Sequence, residues 1–274
     1  MQVDSTLGII AGNRKFPLIF ADAARKRGVK KLVAVAFEGE TDPALAEHVD
    51  AIEWVRLGKL NDLVKSFQRH EVRDVVMVGQ IAPKNLFSRV SLDLRMTMLL
   101  AKLHRKNAET IFGAIGEELS KDGLRLVPHL DFLEDLIPKA GALTRKAPSR
   151  EQRQDIDFGV KIAKQVSAID IGQTVVVKEG VVLAVEAFEG TDSALRRGGE
   201  LGQGGAVAVK VSKPGQDLRF DVPVLGVSSV ETASKAGIAV LAIEAGRSLL
   251  LERDATIERA DQLGVCLFAF EGSS

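Results

Sequence analysis

Leu7-Gly8-Ile9-Ile10-Ala11-Gly12-Asn13-Arg14-Lys15-Phe16-Pro17 is an apolar run, a glycine-bearing turn and a proline at the start of a helical pattern. A strand that turns directly into a helix is the first half of a βαβ unit, with proline suited to the first helical turn. Reading outward, a helix near Pro17 to Arg27 is followed by a strand at Lys31 to Phe37 and a short helical pattern at Pro43 to His48. A strand at Ile52 to Val55, a helix at Asn61 to Arg69 and a strand at Asp74 to Gly79 come next. This alternation predicts an α/β domain over residues 1–130, with a parallel sheet covered by helices. Two further amphipathic helices, Leu92 to Leu103 and Glu109 to Lys121, read as packing elements.

Between Pro128 and Arg153 the sequence has three of the eight prolines and no sustained period, so a linker is expected over 131–150. A second domain is expected over 151–274. It opens with a helix at Glu151 to Val166, then a hairpin of Thr174 to Lys178 and Val181 to Ala187 turning at Glu179-Gly180. A glycine-rich stretch, Gly198 to Gly205, follows Ala194 to Arg197 and precedes a strand at Ala206 to Val211. The remainder reads as helix Val230 to Lys235, strands Ile238 to Ile243 and Ser248 to Leu251, helix Ala255 to Leu263 and strand Val265 to Phe270. The second domain is therefore expected to be α/β with a mixed sheet.

The composition suits two cores. With 274 residues, 46% hydrophobic and 27% charged, disorder is excluded. Lysine plus arginine equals aspartate plus glutamate at 37 each, which removes any global electrostatic case for nucleic acid. Phosphate affinity, if present, must be local. The single cysteine, Cys266, lies in an apolar run and is expected to be a buried strand thiol. No basic-then-apolar leader opens the chain and no stretch of about 18 apolar residues occurs, so a cytoplasmic location is expected.

Candidate chemistry concentrates in the second half. The turn at Gly12-Asn13 would put backbone N–H groups near a ligand, but it matches neither G-x-G-x-x-G nor a Walker lysine pattern, and a backbone need for glycine explains it equally well. The segment Val185 to Arg197 brings Glu186, Glu189, Asp192, Arg196 and Arg197 within one strand end, turn and helix start. On a strand Glu186 and Glu189 would face opposite sides, so only a turn at Glu189-Gly190 brings them to a common site. The segment Lys213 to Pro223 carries Lys213, Asp217, Arg219 and Asp221 on a backbone restrained by two prolines. Carboxylates that hold Mg²⁺, mixed with cations that offset phosphate charge, suit metal-assisted phosphoryl chemistry. Salt-bridged surface loops are the competing reading of both segments. Glu244-Ala245-Gly246-Arg247, between two apolar strands, is uninformative alone, and the histidines at 48, 70, 104 and 129 lack metal spacing.

Taken together, DIGQ at 170 to 173, VLAVEAFEGTDSALRR at 182 to 197, the K-x-x-Q-x-x-R-x-D-x-P-x-x-G pattern from Lys213 to Gly226, and EAGR at 244 to 247 resemble one family. It is the UDP-2,3-diacylglucosamine pyrophosphohydrolases of the lipid A pathway, of the type unrelated to calcineurin-like phosphoesterases. LGIIAG followed by Pro17 fits the family's Rossmann-like first domain, and the likeness spans nearly the whole chain.

The resemblance implies Mg²⁺-dependent hydrolysis of UDP-2,3-diacylglucosamine to UMP and 2,3-diacylglucosamine 1-phosphate, called lipid X. Water would attack the sugar-side phosphorus. The family's critical aspartate carries over onto Asp221, as metal ligand or activator of water. Glu186, Glu189 and Asp192 are further candidates for the metal. Substrate binding is expected from Gly12, Asn13, Gln173, Thr191, Arg196, Arg197, Lys213, Gln216 and Arg219. The first turn is less glycine-rich than the family's, which would put a side chain of Asn13 or Arg14 at the ligand. A homodimer and peripheral contact with the inner membrane are further implications. The rival readings are a pyrophosphatase for another nucleotide-sugar and a non-catalytic module that binds anionic ligands.

Overall fold

The computed structural model describes residues 6–81, 91–104, 108–215, 217, 219 and 222–272. The chain forms two compact units, Met1–Glu134 with Asp217–Asp221, and Asp135–Gln216 with Val222–Ser274. Among the residues expected to form the site, Gln216 and Asp221 lie outside the described residues.

The first unit runs β1 (Thr6–Ala11), α1 (Phe16–Lys26), β2 (Lys31–Phe37), a 3-10 turn (Pro43–Glu47), β3 (Ala51–Val55), α2 (Leu60–Arg69), β4 (Asp74–Val78), α3 (Leu94–Ala101), α4 (Ala108–Ser120) and β5 (Arg125–Leu126). The strands pair in parallel in the order β3-β2-β1-β4-β5, the doubly wound arrangement in which the order reverses beside β1. Because both faces are covered, β2 reads KLVAVAF with no polar alternation, and every residue after Lys31 is buried. Ile10, Val33, Val35, Val75 and Met77 pack with Leu63 and Phe67 of α2 and with Leu99 and Ile115 of α3 and α4. Each such side chain contributes about 1.5–3 kcal/mol on burial. On α1, Pro17 stands in the first turn, and Phe20, Ala21 and Ala24 form the buried stripe at helical spacing, with Phe20 edge-on to Phe132.

The second unit contains β6 (Gly141–Ala142), α5 (Arg150–Ala168), β7 (Thr174–Lys178), β8 (Val181–Val185), α6 (Thr191–Gly202), β9 (Ala206–Lys210), β10 (Val224–Leu225), α7 (Val227–Lys235), β11 (Ile238–Glu244), β12 (Leu249–Leu250), α8 (Arg253–Leu263) and β13 (Cys266–Phe270). Six strands form a mixed sheet in the order β6-β13-β11-β9-β7-β8. Strands β13, β11 and β9 are parallel, and β7 runs antiparallel to both β9 and β8. The β7–β8 hairpin turns through Glu179 and Gly180, both at positive φ, and Asp155 accepts from both turn amides at 3.0 and 2.8 Å. A capping box of Ser149 and Gln152 starts α5. Helix α5 covers one face through Ile156 and Ala163, and α6, α7 and α8 cover the other through Leu195, Val230 and Ala260. Cys266 is fully buried in β13, where burial pushes its thiol up.

The first half of the glycine-rich stretch is helical. Gly198, Gly199 and Gly202 lie inside α6. The helix sits so close to its neighbours that a Cβ at Gly199 would fall 1.9 Å from the Ala236 carbonyl oxygen. The stretch expected as a linker holds two 3-10 turns, His129–Phe132 and Glu134–Leu136, and β6, which pairs with β13. Among the described residues no helix is long and apolar enough to cross a membrane.

Candidate active site at the carboxyl edge of the second sheet

Strands β8, β9, β11 and β13 all end at one edge of the second sheet, and β7 begins there. In α/β sheets this carboxyl edge is where ligands bind. Gly172, Glu186, Lys213 and Glu244, from stretches far apart in the sequence, meet at it. Gly172, just before β7, approaches Glu186, just after β8, so closely that a Cβ would stand 2.0 Å from the Glu186 carbonyl oxygen. Gln173 accepts the Val211 amide at 3.0 Å through its carbonyl, and Glu244 at the end of β11 accepts the Ser212 amide at 2.9 Å.

On the face covered by α6, Thr174 stands opposite Lys210, and the Glu186 amide donates to the Thr174 carbonyl at 2.8 Å. Lys210 Nζ donates to Thr191 Oγ1 at 2.8 Å, and that hydroxyl donates to Glu186 Oε1 at 2.8 Å. Thr191 opens α6 after Gly190, an N-cap at φ 82 with no side-chain cap, so the helix dipole points at this cluster. Thr174 Oγ1 and Glu186 Oε2 are buried without a hydrogen-bond partner. Thus a lysine, a helix N-terminus and a carboxylate with spare acceptor capacity meet at one place on the edge.

On the face covered by α5, Lys164 Nζ donates to Glu244 at 2.9 and 2.7 Å and to the Ser212 carbonyl at 2.9 Å. The Glu244 side chain is 1% exposed, which makes this a buried ion pair. Both main-chain groups of Ser212 are therefore held where the chain leaves β9. One residue later Lys213 Nζ donates to Asp170 Oδ1, which joins the first motif to the third.

The other expected residues have other surroundings. Glu189 accepts from Arg197 at 2.6 Å and from the Ala187 amide at 3.1 Å, and its carboxyl is lowered by bonding to its own backbone amide and then by Arg197. Arg197 also caps the Val185 carbonyl at 2.9 Å. Arg196 is exposed and donates to Ser193 Oγ at 3.2 Å, while Asp192 stands in the first turn of α6. Asp217 and Arg219 belong to the first unit and pair with each other at 2.9 and 3.0 Å. Arg219 holds the Asp217 carboxyl below the usual carboxylate range. The Arg219 carbonyl is met by Nδ1 of His129 at 3.2 Å. His129 is 1% exposed, and burial lowers its pKa to about 4, so Nδ1–H is the donor of a neutral ring.

In the first unit, the Gly12 turn is closed on itself. A Cβ at Gly12 would fall 2.6 Å from the Gln80 carbonyl oxygen. The Gly12 amide donates to Val78 at 2.8 Å, the Asn13 amide to Gln80 at 2.7 Å, and Asn13 Nδ2 to Glu40 at 3.0 Å. The backbone requirement for glycine is met without any ligand.

Sequence reading missed Lys164 and Lys210 and left Glu244 without a meaning. A signal was present for two of them: AVAVK and IAVLAIE are apolar strands that each end in one charged residue. A charge at that place sits on the ligand edge of a parallel strand. Lys164 carries no such mark, because lysine on a helix ordinarily faces water.

Fold and edge together define an α/β protein whose second sheet presents ordered cations and carboxylates at its ligand edge, a class suited to phosphate-bearing ligands. Residues 6–136 match the LpxI N-terminal domain and residues 139–268 the LpxI C-terminal domain. The chain is 33% identical over 270 residues to the UDP-2,3-diacylglucosamine pyrophosphatase LpxI of Caulobacter vibrioides, covering 94% of this chain and 95% of that protein. The chain belongs to the LpxI family.

Proposed function

We propose that this protein hydrolyses UDP-2,3-diacylglucosamine to UMP and 2,3-diacylglucosamine 1-phosphate, in lipid A biosynthesis. The observation that carries the reading is family membership across both halves of the chain, together with the named activity of the Caulobacter relative. The meeting of Gly172, Glu186, Lys213 and Glu244 at one sheet edge supports it.

Hydrolysis of a phosphoanhydride needs two phosphates neutralised and a water aligned opposite the leaving oxygen. Lys213 and Lys210 stand at the ligand edge of the second sheet, and Arg196, Arg197 and Arg219 supply further positive charge for the two phosphates. Gln173, Gln216 and Thr191 contribute polar contacts to the substrate. Asp221 orients the attacking water or holds the metal, and water adds to the sugar-side phosphorus so that UMP leaves.

Among the described residues no three His, Cys, Asp or Glu side chains form a metal cage. A magnesium site does not require one, since Mg²⁺ takes one or two carboxylates along with phosphate oxygens and waters. Glu186, with its unpartnered Oε2, fits that donor set, and Asp192 and Asp221 complete the candidates. Glu189 has both oxygens engaged and serves instead to hold Arg197. When bound, Mg²⁺ supplies charge neutralisation to the anhydride. A substrate with two acyl chains also carries peripheral contact with the inner membrane from the cytoplasmic side, and a homodimer is the assembly we expect.

The test is incubation of purified protein with UDP-2,3-diacylglucosamine and Mg²⁺, with and without excess EDTA. UMP and lipid X should appear with the metal, vanish with the chelator and return on adding Mg²⁺. Intact substrate in the presence of Mg²⁺ would refute the reaction, and full turnover in EDTA would refute the metal.

A further inference from the structure

At the carboxyl ends of β1, β2 and β4, on the face covered by α2, α3 and α4, lies a crevice of about 150 Å³. Ile10, Phe37 and Met77 of the strands and Met96, Leu100 and Ile111 of the helices form its walls. Among the described lining residues Lys59 is the one charged side chain, and its Nζ donates to Ser91 Oγ at 3.0 Å. Along the strands exposure rises towards the crevice. Val33, Val35 and Val75 are at 0%, whereas Ile10, Phe37 and Met77 keep 7%, 9% and 8%. The walls are therefore reachable rather than sealed.

The crevice is placed where doubly wound sheets bind ligands, beside the strand at which the order reverses. In nucleotide-binding members of that architecture, free amides of the first turn meet phosphate. Here the amides of Gly12 and Asn13 are already bonded to the carbonyls of Val78 and Gln80, so these two donors are not offered to an anion. What the crevice does offer is hydrocarbon. An apolar crevice of this volume has room for a hydrocarbon guest of about six carbons.

We infer that this crevice of the first unit binds the terminal segment of one fatty acyl chain, an inference that rests on the proposed diacylated substrate. Chain selection then belongs to the first sheet.

Two experiments test it. The first needs no turnover: wild-type protein is irradiated with a 12-carbon fatty acid bearing a terminal diazirine, and adducts are mapped by mass spectrometry. Adducts on Met96, Leu100, Ile111 or Phe112 are expected, and adducts confined to other segments would overturn the inference. The second uses substrates of graded chain length. Each methylene that reaches the crevice should tighten binding about fourfold, up to about six carbons. Ile111→Trp and Leu100→Trp fill the crevice, and the ratio of KM for short-chain to long-chain substrate should collapse at least about tenfold in either. An unchanged ratio in a variant that melts like wild type would sink the proposal; if neither folds, the adduct map decides. Release of UMP with adducts outside the crevice refutes chain binding alone. Adducts in the crevice without UMP release refute the reaction and leave a hydrocarbon site.

Discussion

At the carboxyl ends of its strands the first sheet presents Ile10, Phe37 and Met77, whereas the second presents Lys210 and Glu244. The same edge of the same fold class has been given opposite chemistry. Burial follows the same division. In the first unit a buried ionisable ring, His129, is kept neutral, with one carbonyl as its partner. In the second unit a buried carboxylate, Glu244, is kept beside a lysine and an amide. The proposed substrate, which carries a nucleoside diphosphate and two hydrocarbon chains, calls for both kinds of surface.

The comparison can be broken where the charges are paired. Lys164→Met leaves Glu244 buried and alone and should cost about 3–5 kcal/mol of stability. Adding Glu244→Gln should restore part of it, because a neutral amide removes the buried charge and keeps an acceptor for the Ser212 amide. Thermal melts of the single and double variants read this directly. A single variant as stable as wild type would mean that the pair is not desolvated.

Asp221→Ala should fold normally and lose turnover by at least roughly a hundredfold, as does removal of a group that orients water or stabilises the transition state. Steady-state release of UMP measures it. Near-normal turnover would remove Asp221 from the mechanism.

The neutral His129 makes stability depend on pH. Its folded pKa, about 4, lies below the unfolded value of 6.5, so the unfolded chain binds more protons between these values. Stability from this group is complete above about pH 6.5 and should fall by about 2 kcal/mol between pH 7 and pH 5, continuing until pH passes about 4. Denaturant midpoints across that range give the slope, and His129→Gln should flatten it. An unchanged slope in the variant would place the proton uptake elsewhere.

The smallest effect is a difference between glycines. Gly172→Ala and Gly12→Ala both press a Cβ on a carbonyl oxygen, at 2.0 and 2.6 Å, and each should cost about 1–3 kcal/mol. The closer contact should cost about 1 kcal/mol more. Equal melting points would show that the motif at 170–173 yields as easily as the first turn.

Much of the fold was legible because local period and sheet environment agree. KLVAVAF can only be a strand buried on both faces, and Glu179-Gly180 between two apolar runs can only be a tight hairpin. Gly198 and Gly199 were not legible, because their place inside α6 is dictated by Val176 and Ala236, which are remote in sequence. At the site, the clusters at 185–197 and 213–223 could be seen as charge, but not which charges neutralise each other. Arg219 takes Asp217 and Arg197 takes Glu189, while Glu186 keeps an oxygen free. Such pairing depends on how each loop folds back on itself, which the order of charges along it does not encode. Lys164 shows the limit: only the end of β11 lying beneath α5 reveals its partner.

In the proposed reaction this chain cleaves the anhydride by adding water to the sugar-side phosphorus. Hydrolysis of UDP-2,3-diacylglucosamine in ¹⁸O-labelled water with Mg²⁺, followed by the masses of both products, tests it most directly. One labelled oxygen in lipid X and none in UMP are expected. Label in UMP, or substrate left intact by well-folded protein, would contradict it.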